Sequence, residues 1–443
     1  MKVIAIVGRN GSGKTLFVDK MRKQMASDQV RYIAFRDSYG VATDQAYYLQ
    51  LRWNQHDIDA ETPNTGELLE QTFRMTGPDN PERRLWQQHL YQLFGMQPLL
   101  DKYIITLSSG ELRKFQLAKT LLAQPQTLIL DNPFVGLDSG ARDLLRDLLR
   151  LVANEQRLTI YLVVSRPEDI PDYVTEIIRI GDSADDDSAG LSAELRQAII
   201  DLPYKDKEYH SDEVVNMNKV SIRYGERTIL KALDWRIMNG ERWVLSGQNG
   251  AGKSTLLSLI CADNPQGYAC DISLFGHRRG TGESIWEIKR HIGYVSPEMH
   301  RSYHRDIAAL RIVASGLKDT VGLYVQPTEK EREVCRWWMN IFGIGHLAEH
   351  SFLKMSSGEQ RLVLLARAFV KDPELLILDE PLHGLDNANR RLAKDVIEAF
   401  CERKNKTLIF VSHYKEERPA CIDHEITLKV QRPESDNAPS DAT

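Results

Sequence analysis

The chain has 443 residues, 42% of them hydrophobic, and a formal net charge of −5. Its length favours two or three globular domains, and it has no basic excess that would indicate nucleic-acid binding. No apolar run approaches the roughly 18 residues of a membrane helix. The five cysteines are scattered and form no metal-type CxxC pair, so we expect reduced thiols in a cytoplasmic protein.

The first predicted elements are an apolar strand, a glycine-rich turn and a helix. Because the N-terminal apolar run leads directly into "GRNGSGKT" (Gly8–Thr15), we do not interpret it as a signal peptide. A helix-rich stretch follows at about 65–100, then "LSSGELRK" (Leu107–Lys114) and the buried strand of "LILDNPFVGLD" (128–138). A further strand is predicted at 158–165. Strands separated by helices indicate a mainly parallel α/β sheet.

The second half of the chain repeats these motifs in the same order. They recur as "GQNGAGKS" (Gly247–Ser254), "MSSGEQRL" (Met355–Leu362) and "LILDEPLHGLD" (376–386), about 240 to 250 residues later. A period of this size indicates a duplicated domain and not a solenoid. About 30 residues before the second glycine-rich turn have the pattern of antiparallel strands, and the first copy has almost nothing at that place.

These patterns predict two P-loop α/β domains, each with a helical subdomain, and an antiparallel β subdomain that is truncated in the first. We assign 1–181 to the first copy and 182–213 to an acidic linker with a helical-looking piece at 191–200. The second copy then covers 214–431. Residues 432–443 are polar and charged, and we expect them to be disordered.

The motif G-x-x-x-x-G-K-[ST] occurs once in each copy, after a strand and before a helix. Its backbone N–H groups can close around phosphates, and the helix N-terminus adds positive potential. Lys14 and Lys253 should reach the β- and γ-phosphates of ATP, and Thr15 and Ser254 should ligate Mg²⁺. The predicted ATP-binding positions here are Gly8, Asn10, Gly11, Ser12, Gly13, Lys14 and Thr15, and Gly247, Asn249, Gly250, Ala251, Gly252, Lys253, Ser254 and Thr255.

The acidic strand ends differ between the copies. Asp131 and Asp379 each end an apolar strand, where a carboxylate can hold Mg²⁺. The next residue is Glu380 in the second copy, which can act as a base toward the attacking water. In the first copy it is Asn132, which cannot be a base at neutral pH. The first copy should therefore bind ATP but hydrolyse it poorly, unless another group substitutes.

Taken together, "SSGE" after Leu or Met, a strand ending in Asp-Glu and "GLD" resemble the ATP-binding cassette (ABC) family over nearly the whole chain. The resemblance implies that signature residues of one cassette complete the ATP site of the other. It assigns Ser108, Ser109 and Gly110 to the ATP bound at Lys253, and Ser356, Ser357 and Gly358 to the ATP bound at Lys14.

The same resemblance identifies three further positions. His413 in "FVSH" matches the switch histidine, and the first copy has Arg166 there. Tyr224 matches the aromatic residue that stacks on adenine. For the Mg²⁺-sensing glutamine, Gln50 is our candidate in the first copy and Gln45 its rival, whereas Pro297 or Glu298 stands there in the second.

Within the ABC family, residues 264–296 resemble the ModF group, tandem ATPases associated with molybdate-transport operons and sometimes labelled photorepair proteins. The resemblance implies separate membrane permease subunits as partners and a place in the cytoplasm, with the inner face of the membrane as an alternative. A second hypothesis is a soluble regulatory or mechanochemical ATPase acting on a ribosome, nucleic acid or protein. A third is a nucleotide-gated binding module with little turnover.

Overall fold

A computed structural model describes most of the chain. The chain is divided into two compact units, Met1–Asp185 and Asp186–Thr443. The described residues are 2–8, 12–25, 29–34, 63–104, 107, 109–134, 137, 139–155, 158–181, 190–202, 211–225, 227–297, 299, 303, 306–320, 326–412 and 414–431.

The first unit is built on a five-stranded parallel sheet. Its strands are β1 (Lys2–Val7), β2 (Val30–Ala34), β3 (Thr127–Asp131), β4 (Thr159–Val164) and β5 (Glu176–Arg179). They lie in the order β2-β3-β4-β1-β5, with every pair parallel. The α-helices are Lys14–Gln24, Thr65–Met75, Pro81–Phe94, Ser109–Leu121 and Ser139–Glu155. Short 3-10 turns lie at Gln97–Leu99 and Pro167–Asp169.

The central strands of this sheet are apolar on both faces. Leu128, Ile129 and Leu130 of β3 are fully buried, as is Ile160 of β4. A strand with helices on both sides has no solvated face, so its side chains are apolar in a continuous run. This run ends at the polar pair Asp131 and Asn132, at the carboxyl edge of the sheet.

The second unit contains two sheets. The parallel one comprises β8 (Arg242–Gly247), β11 (Ile292–Val295), β12 (Leu375–Asp379), β13 (Thr407–Val411) and β14 (His424–Leu428). Its order, β11-β12-β13-β8-β14, repeats that of the first unit. The antiparallel one comprises β6 (Glu213–Tyr224), β7 (Arg227–Met238), β9 (Asp271–Leu274) and β10 (His277–Arg278), in the order β10-β9-β6-β7. The predicted fold class is thus confirmed, including the antiparallel subdomain of the second cassette.

Seven α-helices of the described residues belong to the second unit. They are Ala193–Ile200, Lys253–Ile260, Ile285–Lys289, Ala309–Ser315, Glu329–Ile341, Ser357–Phe369 and Asn387–Cys401. Short 3-10 turns lie at Pro265–Ala269, Gly345–Leu347, Phe352–Lys354 and Lys415–Glu417. The helices Ala309–Ser315 and Glu329–Ile341 pack on Ser357–Phe369 as a helical subdomain.

Part of the acidic segment 182–213 is folded on the second unit. Its helix Ala193–Ile200 packs against Asn387–Cys401, and Ile199 is fully buried in that core. Arg196 forms an ion pair with Glu402, and the Arg403 guanidinium donates to the Leu202 carbonyl at 3.1 Å. The described part of the expected linker is therefore fixed to the second unit at this helix.

Candidate functional site

The glycine-rich loop of the second unit joins β8 to the helix Lys253–Ile260. Gly252 caps this helix with φ of +94°, in the left-handed region that favours glycine. The Lys253 ammonium folds back over the loop and donates to the carbonyl oxygens of Gly247 at 2.7 Å and Gln248 at 3.2 Å. The loop thus gathers a cation and a helix N-terminus at one point, which suits a phosphate.

Close approach of backbone and side chains explains the glycines of this loop. A Cβ at Gly247 would lie 2.7 Å from the Leu428 carbonyl oxygen, and one at Gly252 would lie 2.8 Å from Ile229 Cγ2. Real Cβ atoms essentially never come so close. Gly247 and Gly252 are therefore positions of the second P-loop that only glycine permits, and the loop fits a nucleotide phosphate.

The described residues of the first P-loop, 8 and 12–15, resemble their counterparts with one difference. A Cβ at Gly8 would meet the Ile180 carbonyl oxygen, and Lys14 donates to the Gly8 carbonyl. Gly13 caps the helix with φ of +86°, but a Cβ there would meet none of the described residues within 4 Å. The antiparallel sheet supplies the neighbours of Gly252 through β7, and no equivalent strand lies among the described residues of the first unit.

The two acidic strand ends have the same backbone geometry. Asp131 ends β3 and Asp379 ends β12, and the register against the neighbouring strand is identical. The following residues, Asn132 and Glu380, both have positive φ, +52° and +49°. Their backbone N–H groups donate to a carbonyl of that strand at 2.8 and 2.9 Å. Asn132 and Glu380 are therefore presented alike, and they differ only in their side chains.

The side chains around these positions differ in chemistry. In the first unit Asp131 accepts hydrogen bonds from Tyr32 Oη and Asn132 Nδ2, both at 2.9 Å. In the second unit Asp379 is 8% exposed, and Glu380 lies 3.7 Å from His383, measured from Oε2 to Nδ1. In the first unit two neutral side chains donate to the Asp131 carboxylate, whereas in the second unit a further carboxylate, that of Glu380, follows Asp379.

Sequence reasoning missed His383. This side chain is 8% exposed and lies one turn beyond Glu380, with its backbone N–H donating to the Glu380 carbonyl at 3.3 Å. The signal was present in the repeat, since "LHGLD" has His383 where "FVGLD" has Val135. An imidazole beside a candidate base can orient it.

Tyr224, the predicted adenine-stacking residue, is the last residue of β6 and is partly buried. Its hydroxyl accepts a hydrogen bond from Asn264 Nδ2 at 3.0 Å. Burial raises the pKa of the Tyr224 phenol, and the Asn264 bond acts in the opposite direction. The phenol is therefore neutral at physiological pH and its ring is tethered at one edge.

The predicted signature residues that the structure describes lie at helix N-termini. Ser356 caps the helix Ser357–Phe369, its hydroxyl donating to Glu359 Oε2 at 2.8 Å while the Glu359 N–H donates back to Ser356 at 3.3 Å. Gly358 is buried in the first turn. In the first unit the corresponding helix begins at Ser109. Such a terminus can bind an anion through its free N–H groups.

Several predicted positions lie outside the described residues, namely Asn10, Gly11, Gln45, Gln50, Ser108, Glu298 and His413. Arg166, which matches His413 in the sequence motif, is buried, and its carbonyl accepts the Asp169 N–H at 3.2 Å. By the strand register, in which Val163 and Val411 are equivalent, the sequence position that matches His413 is Ser165. The strand register also bears on the Mg²⁺-sensing position, for which Gln50 is the candidate in the first copy. Tyr32 of β2 and Tyr294 of β11 pair with equivalent residues of the adjacent strand. Counted from these two residues, the sequence position that matches Glu298 is Arg36 and not Gln50.

Comparisons with known proteins agree with this geometry. A family model described as "ABC transporter" matches residues 1–135 and 230–383. The "ABC transporter ATP-binding protein ModF" of Escherichia coli (strain K12) is 35% identical over 95% of this chain and 90% of that protein. An uncharacterized ABC transporter ATP-binding protein of Schizosaccharomyces pombe is 28% identical over the same shares.

Tandem folds of the same kind occur among solved structures. The model of ribosome-bound archaeal Pelota and ABCE1 aligns with 96% of this chain and 72% of that one, with a TM-score of 0.60 and 16% identity. The archaeal ribosome recycling factor aABCE1, in complex with the stalk protein aP1, aligns with a TM-score of 0.52, 17% identity, and 96% and 83% coverage. At these identities the likeness concerns the fold alone.

Within the described residues, no helix has the length and apolar character to cross a bilayer. Two P-loop motifs, two acidic strand ends and two signature helices occur in units whose parallel sheets have the same strand order, and the family model covers both halves. The chain therefore belongs to the ABC transporter family, as an ATP-binding tandem ATPase similar to ModF.

Proposed function

We propose that this chain hydrolyses ATP in a Mg²⁺-dependent way at one competent site and holds ATP at one degenerate site. Both sites are shared between the cassettes: Ser108, Ser109 and Gly110 complete the site of Lys253, and Ser356, Ser357 and Gly358 complete the site of Lys14. The observation that carries the proposal is the matched position of Asn132 and Glu380, with φ of +52° and +49°. Only one of these two side chains can act as a base.

At the competent site each residue has a distinct task. Lys253 neutralises phosphate charge, and Glu380 accepts the proton of the attacking water or orients that water. His413 contacts the γ-phosphate, and Tyr224 stacks on the adenine. Mg²⁺, when bound by Ser254 and Asp379, neutralises charge that develops on the phosphates.

At the degenerate site the phosphate-binding parts remain and the proton-handling parts do not. Lys14 and Thr15 retain the positions that bind phosphate and metal. Asn132 cannot accept a proton at neutral pH, and Arg166, as a fixed cation, cannot shuttle one. ATP at this site therefore persists and keeps the cassettes together, while turnover at the other site lets them reopen.

A nucleotide-retention assay tests this asymmetry. After a short incubation with radiolabelled ATP and Mg²⁺ and rapid gel filtration, the protein should retain one uncleaved ATP per chain while ADP is released in steady turnover. Lys14→Ala should remove the retained ATP, and Lys253→Ala should stop the turnover. Equal cleavage of both nucleotides would contradict the proposal.

The wider role that we propose is to drive or regulate an importer through separate membrane subunits, on the cytoplasmic side. Support comes from the similarity to ModF over nearly the whole chain, and the molybdate-type substrate rests on the association of that group. The alternative partner is a ribosome or another macromolecule. It draws on tandem neighbours such as ribosome-bound ABCE1, whose 16% identity carries the fold alone.

A pull-down distinguishes these partners. Glu380→Gln should accumulate the ATP-bound state, so tagged variant protein in ATP should retain its partner. Permease subunits recovered from solubilised membranes support the importer, and ribosomal subunits support the alternative. Wild-type protein without nucleotide is the matched control. Equal recovery of the partner in both samples would contradict an ATP-gated interaction.

A further inference from the structure

The carboxylate of Asp131 is enclosed by hydrogen bonds from two neutral side chains. Tyr32 Oη donates to Oδ2 and Asn132 Nδ2 donates to Oδ1, both at 2.9 Å. Ser165 Oγ in turn donates to Asn132 Oδ1 at 3.4 Å, which fixes the orientation of the amide. Successive hydrogen bonds thus lead from Ser165 to Asn132 and from Asn132 to Asp131 Oδ1, while Tyr32 donates to the other oxygen of Asp131.

The fold determines the position of Tyr32. It lies on β2, whose parallel register against β3 sets Tyr32 opposite Ile129, two residues before Asp131. The guanidinium of Arg22, on the helix that follows the first P-loop, lies 4.5 Å from the centre of the Tyr32 ring. The phenol is therefore packed between the P-loop helix and the strand that carries Asp131.

These bonds compete with the metal role of Asp131. A carboxylate offers about four lone-pair sites on two oxygens, and here each oxygen already accepts a donor. Mg²⁺ requires near-octahedral oxygen ligands and dehydrates reluctantly, so a carboxylate held by two donors is a poorer ligand. The first site thus fits a phosphate well and a metal ion less well.

The second unit provides the contrast. Tyr294 occupies the same register on β11, opposite Ile377. The residue after Asp379 is Glu380, whose carboxylate carries no N–H to donate and adds negative charge near a metal. The donor that Asn132 supplies in the first unit thus has no counterpart in the side chain of Glu380.

We propose that Tyr32 and Asn132 are positioning residues that make Asp131 an anchor of its loop, so that the first site binds ATP with little dependence on Mg²⁺. The inference rests on the proposed function, in which this site holds nucleotide. It adds a chemical selectivity to that site: the nucleotide is recognised by P-loop N–H groups and Lys14 rather than through a carboxylate-bound metal.

Equilibrium binding of a fluorescent ATP analogue tests the proposal, with each sample measured in excess Mg²⁺ and in EDTA. In Lys253→Ala, which reports the first site, removal of Mg²⁺ should weaken binding less than about threefold. In Lys14→Ala, which reports the second, it should weaken binding by about tenfold or more. Tyr32→Phe keeps the ring but removes the hydroxyl. In the Lys253→Ala background this variant should make removal of Mg²⁺ weaken ATP-analogue binding at the first site by at least about fivefold.

The Asn132→Asp variant removes the amide donor to Asp131 and should raise the Mg²⁺ dependence of binding at the first site in the same way. Tyr294→Phe, in the same Lys253→Ala background, is the matched control and should leave that Mg²⁺ dependence unchanged. A first site as Mg²⁺-dependent as the second, or no response to both Tyr32→Phe and Asn132→Asp, would overturn the inference while the holding site stands. Loss of all binding in Lys253→Ala would overturn both.

Discussion

The two cassettes share a parallel sheet with the same strand order, but their phosphate-binding loops are covered differently. In the second, the antiparallel sheet places Ile229 against the loop, so that a Cβ at Gly252 would lie 2.8 Å from it. In the first, a Cβ at Gly13 would have no neighbour within 4 Å in the part of the chain that the structure describes. A phosphate cradle therefore depends on the strand–loop–helix unit itself, and the covering sheet is an addition to it.

A second difference lies at the strand ends. Backbone conformation after the acidic residue is nearly the same in both cassettes, so the fold presents Asn132 and Glu380 to the same place. Their side chains then lead to different surroundings, a neutral hydrogen-bond chain around Asp131 and an imidazole near Glu380. Matching strand ends thus carry the different side chains that the proposed holding and catalytic sites require.

The largest expected effect follows from removing the proposed base of the second cassette. Glu380→Gln should lower steady-state ATP hydrolysis by about 10²-fold or more, the range in which general bases contribute, while bound ATP is retained. The exposed Glu416→Gln is a suitable control for loss of a carboxylate. Hydrolysis close to that of the wild type would show that Glu380 is not the base.

A second experiment compares the two helix-capping glycines. Gly252→Ala and Gly13→Ala both place a side chain at positive φ, which costs about 1–2 kcal/mol. Only the first also forces a methyl group against Ile229. Gly252→Ala should lower nucleotide affinity at the second site by about tenfold or more, measured in the Lys14→Ala background. Gly13→Ala should lower the affinity of the first site distinctly less, measured in the Lys253→Ala background. A larger loss for Gly13→Ala would contradict the proposed role of the covering sheet.

His383 provides an intermediate effect. His383→Val copies the residue that stands at 135 and removes the imidazole 3.7 Å from Glu380. We expect hydrolysis to fall by about three- to tenfold, with nucleotide affinity unchanged, because supporting groups of this kind tune a catalytic side chain without contacting substrate. Measuring the turnover rate and the Kd for ATP separately checks this. A weaker Kd with an unchanged rate would assign His383 to binding instead.

The smallest effect is expected at the matched position of the first cassette. Asn132→Ala should change steady-state hydrolysis by less than about threefold, because no proton transfer is assigned to this residue. The assay is the one used for Glu380→Gln. A loss as severe as that of Glu380→Gln would show that the first site is catalytic.

The motifs alone were sufficient to predict the tandem α/β fold and the antiparallel subdomain. Apolar runs such as "LILD" identify buried parallel strands because such strands have no solvated face. Glycine and lysine at fixed spacing identify the P-loops because backbone approach to phosphate permits little else. The difference between Asn132 and Glu380 was also visible as one letter of a repeat.

Other features of the site required the tertiary structure. The bond from Tyr32 to Asp131 joins residues 99 positions apart, and only the register of β2 against β3 brings them together. The attachment of the segment around the helix Ala193–Ile200 likewise depends on distant partners, since the Leu191 N–H just before this helix donates to Asp395. Sequence by itself determined which chemical groups each site possesses, since motif residues are local. The tertiary structure decided which of those groups are already bound by others, because strand pairing sets side chains from distant segments against one another.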